Sequence, residues 1–235
     1  MKLDFRLVKF TNYSDDFING KLYLNSLEYY RGIENIINKT NAERNSAIND
    51  FGEGAVASVN KKDSHKFNIN WGKEMTDNII GNVYLLSETL KYIKVLCLYA
   101  FMYDKDSKTV FAPSENLSQF GAAEAIIITD TIEFFERVRK ALDKRKTKII
   151  AANHKFVNYY KDDEKTKMLG VFNKREDFWW QQEYRFMFVE EPFSLEPTVL
   201  EIGDISDITI RVNTKEFLED TTAIWKKYEE IFMTR

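Results

Sequence analysis

The chain of 235 residues contains one cysteine, two histidines, three prolines and nine glycines. A single cysteine excludes an internal disulfide framework and a cysteine-based zinc site. The simplest interpretation of Cys97, inside V-L-C-L-Y-A, is a small buried hydrophobic residue. His65 and His154 lack the spacing of a metal-ligand pair, so we do not expect a His-based metal site. The sequence also has no P-loop, no G-x-G-x-x-G and no G-x-S-x-G motif.

Long apolar runs and an excess of basic charge are missing as well. No segment approaches the roughly 20 apolar residues that cross a bilayer, and charges interrupt the N-terminal M-K-L-D-F-R-L-V-K-F. We therefore expect a cytoplasmic protein with no membrane contact. The net charge of -3 argues against a strongly basic nucleic-acid footprint. A basic cluster at 137–148 lies on or just after a predicted helix, which favours a solvated helix face.

Apolar residues make up 44% of the chain and aromatic residues 14%, a balance that favours a sheet-rich core. Alternation of apolar and polar residues, together with short apolar runs, predicts strands: 3–10, 21–24, 54–60, 65–70, 81–87, 93–103, 124–130, 147–152, 155–160, 184–190, 198–203 and 207–212. Helical spacing and capping residues predict helices: 13–19 with Ser14 as N-cap, 26–37, 131–142 and 214–234. The charged stretch 161–176 is a helix or a loop. The simplest account is one α+β domain over 1–235.

Two neighbouring segments near the first third of the chain carry polar groups. Arg31 and Glu34 lie three apart on a predicted helix and share a face, either as a surface ion pair or as part of a site. A long polar loop at 38–53 then ends in D-F-G-E-G, which brings Asp50 and Glu53. Glycines let a backbone approach a ligand and carboxylates orient hydroxyls or a metal, although a simple turn explains the segment equally.

The stretch W-W-Q-Q-E-Y-R-F at 179–186 is the second polar segment. If it is a strand, Gln181, Glu183 and Arg185 point to the same side. Such a face lines a cleft or forms a structural ladder of ion pairs. Lys9 and Thr11, at the end of the first strand, are weaker candidates because such residues are also common at element ends.

The order of short motifs resembles a known fold. L-V-K-F-T at 7–11, S-D-D-F-I-N-G at 14–20 and K-L-Y-L at 21–24 follow one another, and Q-Q-E comes late at 181–183. This arrangement is similar to the ADP-ribosyltransferase-like fold of the DNA-modifying ADP-ribosyltransferase toxins, which place a catalytic Glu late in the chain. Lys9 stands where those proteins more often carry His or Arg, and no clear S-T-S follows.

The chain also resembles an uncharacterised bacterial family that is often found near phage-defence genes. G-K-L-Y-L-N-S at 20–26 and Q-Q-E-Y-R at 181–185 match the outline of that family. The two resemblances together cover roughly the first 55 residues and the stretch 174–190. They imply a split, mixed or antiparallel β-sheet flanked by helices, with a cleft between its two parts.

The first resemblance implies an NAD-cleaving site. Glu183 would hydrogen-bond the nicotinamide ribose and stabilise an oxocarbenium-like transition state, and Gln181 would orient the acceptor. Arg31 or Arg6 would hold the pyrophosphate, and a tyrosine would stack on the nicotinamide. The residues that we expect to bind the cofactor are Lys9, Thr11, Tyr29, Tyr30, Arg31, Glu34, Asp50, Glu53 and Arg185.

Three functional hypotheses follow from these segments. The first is an ADP-ribosyltransferase-like enzyme or toxin of phage–bacterium conflict, which transfers ADP-ribose from NAD to a nucleic acid or a protein. The second is a non-catalytic defence or counter-defence factor that binds a nucleotide or a partner protein on the same fold. The third is a metal-dependent nuclease using Asp50, Glu53 and Glu183. The apolar run 93–103 fits a core strand or the interface of a homodimer.

Overall fold

The computed structural model of the protein describes residues 3–30, 53–69, 81–161, 163 and 165–234. The described strands are β1 (Leu3–Thr11), β2 (Lys21–Ser26), β3 (Ala55–Asn60), β4 (Asn82–Leu86), β5 (Lys94–Asp104), β6 (Thr109–Val110), β7 (Glu124–Ile128), β8 (Lys148–Phe156), β9 (Asn158–Tyr160), β10 (Lys167–Met168), β11 (Asn173–Arg175), β12 (Glu183–Glu191), β13 (Thr198–Glu201) and β14 (Thr209–Asn213). The α-helices are α1 (Ser14–Ile18), α2 (Thr131–Asp143), α3 (Thr214–Glu219) and α4 (Thr221–Thr234). Residues 27–30 are also helical.

Antiparallel pairing dominates the fold. Nine strands form the main sheet, whose longest path runs β13-β2-β5-β1-β7-β14, while β12, β8 and β6 extend from β5. A second sheet has the order β10-β3-β4, and β11 pairs with β9 in parallel. The predicted α+β class with a largely antiparallel, split sheet flanked by helices is therefore confirmed.

The main sheet divides beside the middle of β5. Tyr99 pairs with both Val8 of β1 and Glu183 of β12, so β1 and β12 lie on opposite edges of β5. Lys94 pairs with both β2 and β12, which places β2 on the same edge as β1. Along that edge β1 covers 99–104 and β2 covers only 94–95. Residues 96–98 of β5 therefore lie between the segment that pairs with β1 and the segment that pairs with β2. We call this gap between β1 and β2 the split.

The two faces of β5 are covered by different layers. Leu96 and Leu98 pack on one side in a cluster that includes Phe134 and Val138 of α2. On the other side, one end of the strand is covered by α3 and α4, with Phe101 in a cluster with Phe217 and Trp225. The other end of this second face is covered by Leu27 and Phe172. The polar side chains of the site lie between these last two clusters.

Several local predictions are wrong, for identifiable reasons. The strand expected at 65–70 is not formed, because residues 61–67 make a 3₁₀ helix whose first turn is capped by Asn60 Oδ1, 3.0 Å from the backbone nitrogen of Lys62. The stretch 161–176 contributes β10 and β11 rather than a helix or a plain loop. Ser14 does not cap α1, because its hydroxyl instead contacts Glu124 across the fold.

The helix expected at 26–37 is described only to residue 30, where Ser26 Oγ accepts from the backbone nitrogen of Tyr29 at 3.3 Å. The remainder of that helix and most of the predicted loop at 38–53 lie outside the described residues. In the described ranges, no helix is both long enough and apolar enough to cross a membrane.

Candidate functional site

A buried arginine organises the centre of the second face of the sheet. Arg185 Nη1 is 2.5 Å from Glu53 Oε1, and Nη2 is 3.0 Å from Glu53 Oε2 and 3.2 Å from Glu183 Oε2. Its Nε donates to Glu183 Oε1, and Nη1 also donates to the carbonyl of Val171. These bonds use all five N–H donors of the guanidinium. The side chain of Arg185 is 2% exposed, so two carboxylates and one arginine form a desolvated cluster.

Lys174 of β11 completes the cluster from the opposite side. Its Nζ lies 2.7 Å from Gln181 Oε1, 3.3 Å from Glu183 Oε2 and 3.7 Å from Glu53 Oε2. The ammonium also stands 5.1 Å from the ring centroid of Phe178, which adds a cation–π contact. Lys174 therefore connects both carboxylates with the amide of Gln181.

The cluster fixes the protonation of its members. Burial acts to raise the pKa of Glu183, but the charges of Arg185 and Lys174 outweigh it and hold that pKa well below its ordinary value. The same balance works on Lys174, where burial lowers the pKa and Glu183 and Glu53 more than restore it. Burial and the nearby charge of Glu183 raise the pKa of Cys97 to about 12. At neutral pH the site thus holds an ionised Glu183 and a protonated thiol.

The cluster forms the floor of a cavity of about 240 Å³. Aromatic rings of Phe10, Tyr99 and Phe120 form part of its wall, with Phe10 5.8 Å from Tyr99 and 6.4 Å from Phe120 between ring centroids. The residues that line the cavity are Val8, Lys9, Phe10, Leu27, Tyr30, Glu53, Val95, Cys97, Leu98, Tyr99, Phe120, Lys174, Gln181, Glu183 and Arg185. A ring-bearing ligand with polar groups suits such a lining.

Lys9 enters this cavity at the split. Its Nζ donates to the carbonyl of Cys97 at 3.2 Å, which satisfies one of its three N–H donors. Burial lowers the pKa of Lys9, and Glu183 acts against that effect. With Lys174 and Arg185 already opposed by Glu53 and Glu183, the lining carries one basic side chain more than acidic ones. The charge balance therefore favours a ligand that brings an anionic group.

The structure brings together six of the residues predicted for the site. Lys9, Tyr30, Glu53, Gln181 and Glu183 all line the cavity, and Arg185 joins them. The two predicted halves of the site therefore meet at the contact of Glu53 with Arg185. Arg31, Glu34 and Asp50 lie outside the described residues.

Three other candidates lie away from the lining. Thr11 Oγ1 accepts from the backbone nitrogen of Tyr13 at 2.9 Å, as expected of a residue at the end of a strand. Tyr29 is 49% exposed and packs edge-on against Tyr30, which is the tyrosine that reaches the cavity. Arg6 donates to the carbonyl of Phe232 in α4, so it is not placed to hold a pyrophosphate in this cavity.

The geometry of the late polar segment differs from the predicted strand. Gln181 ends a 3₁₀ helix, and β12 begins only at Glu183. Gln182 between them has a φ of 38°, in the left-handed region, which turns the chain. Arg185 was expected to contact a ligand. Its donors are all taken by protein oxygens, so it instead holds the two carboxylates in place.

Sequence reasoning missed Lys174 and the role of Cys97. Lys174 lies in N-K-R-E-D, and its only sequence signal is the hydrophobic F-W-W that follows, because alternation is not visible in a three-residue strand. Cys97 was expected to be a buried hydrophobic residue, but it is only partly buried and hydrogen-bonds to Glu183. Tyr159 was also missed, and its hydroxyl accepts from the backbone nitrogen of Glu183 at 2.8 Å.

The basic cluster at 137–148 is largely neutralised. Arg137 pairs with Glu133 and Asp207 at 2.8 and 2.6 Å. Arg139 pairs with Glu136 and Asp143 on α2, and Arg145 pairs with Glu190 of β12. These pairs agree with a solvated helix face.

The arrangement of the carboxylates also bears on the predicted metal-dependent nuclease. Arg185 and Lys174 lie between Glu53 and Glu183, where a shared metal ion would have to sit. Across the described part of the chain, no group of three or more His, Cys, Asp or Glu side chains is arranged to hold a metal. Asp50 is outside the described residues. The two described carboxylates are therefore neutralised by protein cations.

Comparisons of the chain with protein-family models, with curated proteins and with solved structures found no match in any of the three.

Proposed function

We propose that the cavity binds an NAD-like dinucleotide, and that the protein is an ADP-ribosyltransferase-like enzyme acting on a nucleic acid or a protein. One observation carries the proposal. Lys9, Tyr30, Gln181 and Glu183, which come from three distant parts of the sequence, line a single cavity at a split in the sheet. The resemblance assigns Glu183 to the ribose, Gln181 to the acceptor and a tyrosine such as Tyr30 to the nicotinamide ring, and it places Lys9 among the residues that bind the cofactor.

Glu183 suits the role of the catalytic carboxylate because it is ionised and oriented. Arg185 Nε holds Oε1, while the described nitrogen contacts to Oε2 are longer, at 3.2 and 3.3 Å. These lie at the weak end of N–H···O hydrogen bonds. Oε2 is thus the oxygen that would accept from a ribose hydroxyl. A fixed negative charge there stabilises the positive charge that develops on the ribose when nicotinamide leaves.

The other lining residues supply binding and orientation. Tyr30 presents a ring for stacking, Lys9 supplies an ammonium for a phosphate oxygen and Gln181 presents an amide to the acceptor. The cavity volume of about 240 Å³ is below the roughly 300–1,000 Å³ of sites for whole drug-sized ligands. The described walls therefore fit one end of a dinucleotide, with the ring and its ribose, rather than the whole molecule.

To test the proposal, the purified protein is incubated with NAD, with and without DNA oligonucleotides or cell extract. The nicotinamide released is measured by chromatography. We expect release by the wild type and a loss of about a hundredfold or more in Glu183→Gln, since fixed electrostatic groups contribute on that scale. Glu201→Gln, on the exposed side of β13, is the matched control and should retain activity. No release by the wild type under any of these conditions would rule out the enzymatic proposal.

A second candidate, a non-catalytic nucleotide-binding factor, is favoured by a different observation. Glu183 already accepts from Arg185, Lys174 and Cys97, and the lining has an excess of basic groups, which opposes a developing cation. In that case calorimetry would show binding of NAD or ADP-ribose with no nicotinamide released. A role in phage defence or counter-defence would then depend on capture of a nucleotide or of a partner protein.

A further inference from the structure

Lys174 has a buried ammonium that the proposed chemistry does not use directly. Its side chain is 8% exposed, and its shortest contact is the 2.7 Å bond to Gln181 Oε1. An ammonium has three donors and no acceptor, so the atom of Gln181 that faces it has to be the amide oxygen. Because Lys174 can only donate, the amide of Gln181 has one possible orientation, with its oxygen toward Lys174 and its NH₂ group turned away.

We propose that Lys174 is a positioning residue, which fixes the Gln181 amide so that Gln181 meets a ligand or an acceptor only as a hydrogen-bond donor. This inference rests on the proposed function for the identity of the ligand, but not for the orientation of the amide. It predicts that the group facing Gln181 offers lone pairs, as a carbonyl, carboxylate, phosphate or ring nitrogen does. A guanidinium or ammonium would meet two N–H donors in a lining with one basic side chain in excess, and would be excluded.

Two substitutions separate the donor role from the structural role. In Gln181→Glu the carboxylate still accepts from Lys174, but it adds a third buried negative charge to the cluster, so the free energy of unfolding should fall. The new side chain has no N–H to donate, so affinity for ADP-ribose should fall about tenfold or more. In Lys174→Met the amide loses its fixed partner, and affinity should fall by a similar factor. Lys174→Arg keeps the positive charge and the N–H donors, so it should retain most of the affinity for ADP-ribose that Lys174→Met loses.

Lys94 offers a matched control for loss of a buried lysine. It is 1% exposed, its Nζ is 2.6 Å from the carbonyl of Ser194 and also contacts that of Glu196, and it does not line the cavity. Lys94→Met should lower the free energy of unfolding without changing affinity for ADP-ribose. A loss of affinity in Lys94→Met equal to that in Lys174→Met would reduce Lys174 to a structural role and overturn the inference.

A ligand-free measurement decides the amide orientation itself. In ¹⁵N-labelled protein, the side-chain NH₂ pair of Gln181 is the one missing from Gln181→Glu. We expect the NMR signals of this NH₂ pair to shift in Lys174→Met and to keep their positions in Lys94→Met. If Lys174→Met does not fold, Lys174→Arg replaces it, and we expect a smaller shift. An unmoved pair in the Lys174 variant would overturn the inference. A moved pair, together with no response to NAD or ADP-ribose, would instead count against the proposed function alone.

Discussion

Arg185 shows how one residue makes a buried, doubly acidic site possible. Two carboxylates less than 10% exposed would repel each other and lose their hydration. The planar guanidinium of Arg185 donates to both carboxylates and to the backbone carbonyl of Val171, which offsets the repulsion and the lost hydration. The arginine thereby joins Glu53, before β3, to Glu183, at the start of β12. The position of each carboxylate in the cavity depends on this one guanidinium.

Replacing Arg185 should therefore be costly. Arg185→Met removes the guanidinium that pairs with both buried carboxylates, Glu53 and Glu183, and we expect the free energy of unfolding to fall by about 3–5 kcal/mol. Urea unfolding measures it. Arg139→Met, which removes two exposed ion pairs of α2, should cost less than about 1 kcal/mol. Similar losses in the two variants would show that the cluster is solvated rather than buried.

At the scale of elements, Gly20 fixes the entry into β2. It has a φ of +80°, and a Cβ built on it would lie 1.9 Å from the carbonyl oxygen of Gly203. Gly203 has nearly the same φ, +82°, but open space around its Cβ position. The backbone of the two turns is in contact, since Ile202 donates to the carbonyl of Gly20 at 2.9 Å. The pair thus separates the effect of φ from the effect of close packing.

We expect Gly20→Ala to destabilise the protein by about 3 kcal/mol or more, because backbone strain and overlap with Gly203 add. Gly203→Ala should cost only about 1 kcal/mol, from the left-handed backbone alone. Thermal and urea unfolding of both variants provide the measurement. Equal costs would mean that the two turns separate easily and that the packing of β2 on β13 does not restrict position 20.

Sequence periodicity predicted most elements because their apolar residues face a single layer. The run V-L-C-L-Y-A lies in the central strand β5, and Val138 and Leu142 pack from α2 as helical spacing predicts. The same spacing also predicted Ile132 on the buried face, but Ile132 is exposed and Phe134 is buried instead. Periodicity could not identify β10 and β11, which have two and three residues. It could not place Lys174 in the site either, because that depends on how distant segments pair. Glu53 and Glu183 were foreseen as partners, but the arginine between them was expected to face a ligand.

At the scale of the whole molecule, the buried cluster links stability to pH at both ends of the range. The pKa of Glu183 is lowered on folding, so its contribution is present above the unfolded value of about 4.3 and is lost as the pH falls below it. The pKa of Cys97 is raised to about 12, so its contribution is present below the unfolded value of about 8.5 and is lost as the pH rises. Stability should therefore be highest between about pH 5 and 8.

Each limb of this profile can be assigned to its residue. Between pH 8.5 and 10 the wild type should lose about 2 kcal/mol through Cys97, and Cys97→Ala should remove most of that slope. Above pH 10 the slope should persist in both proteins, because Tyr30, Tyr99 and Tyr159 also have raised pKa values. On the acid side, Glu183→Gln should flatten the loss only in part, since the pKa values of Asp4 and Glu124 are lowered as well.

Urea unfolding at intervals of half a pH unit from pH 3 to 11 measures both limbs in the wild type and the two variants. We expect Cys97→Ala to change mainly the alkaline limb and Glu183→Gln mainly the acid limb. The Cys97 thiol donates to the Glu183 carboxylate, so Glu183→Gln should lower the folded-state pKa of Cys97 and make the alkaline loss smaller, while its onset stays near the unfolded value of about 8.5. An alkaline loss of the same size in Glu183→Gln and in the wild type would mean that the thiol and the carboxylate are not in contact at the floor of the cavity.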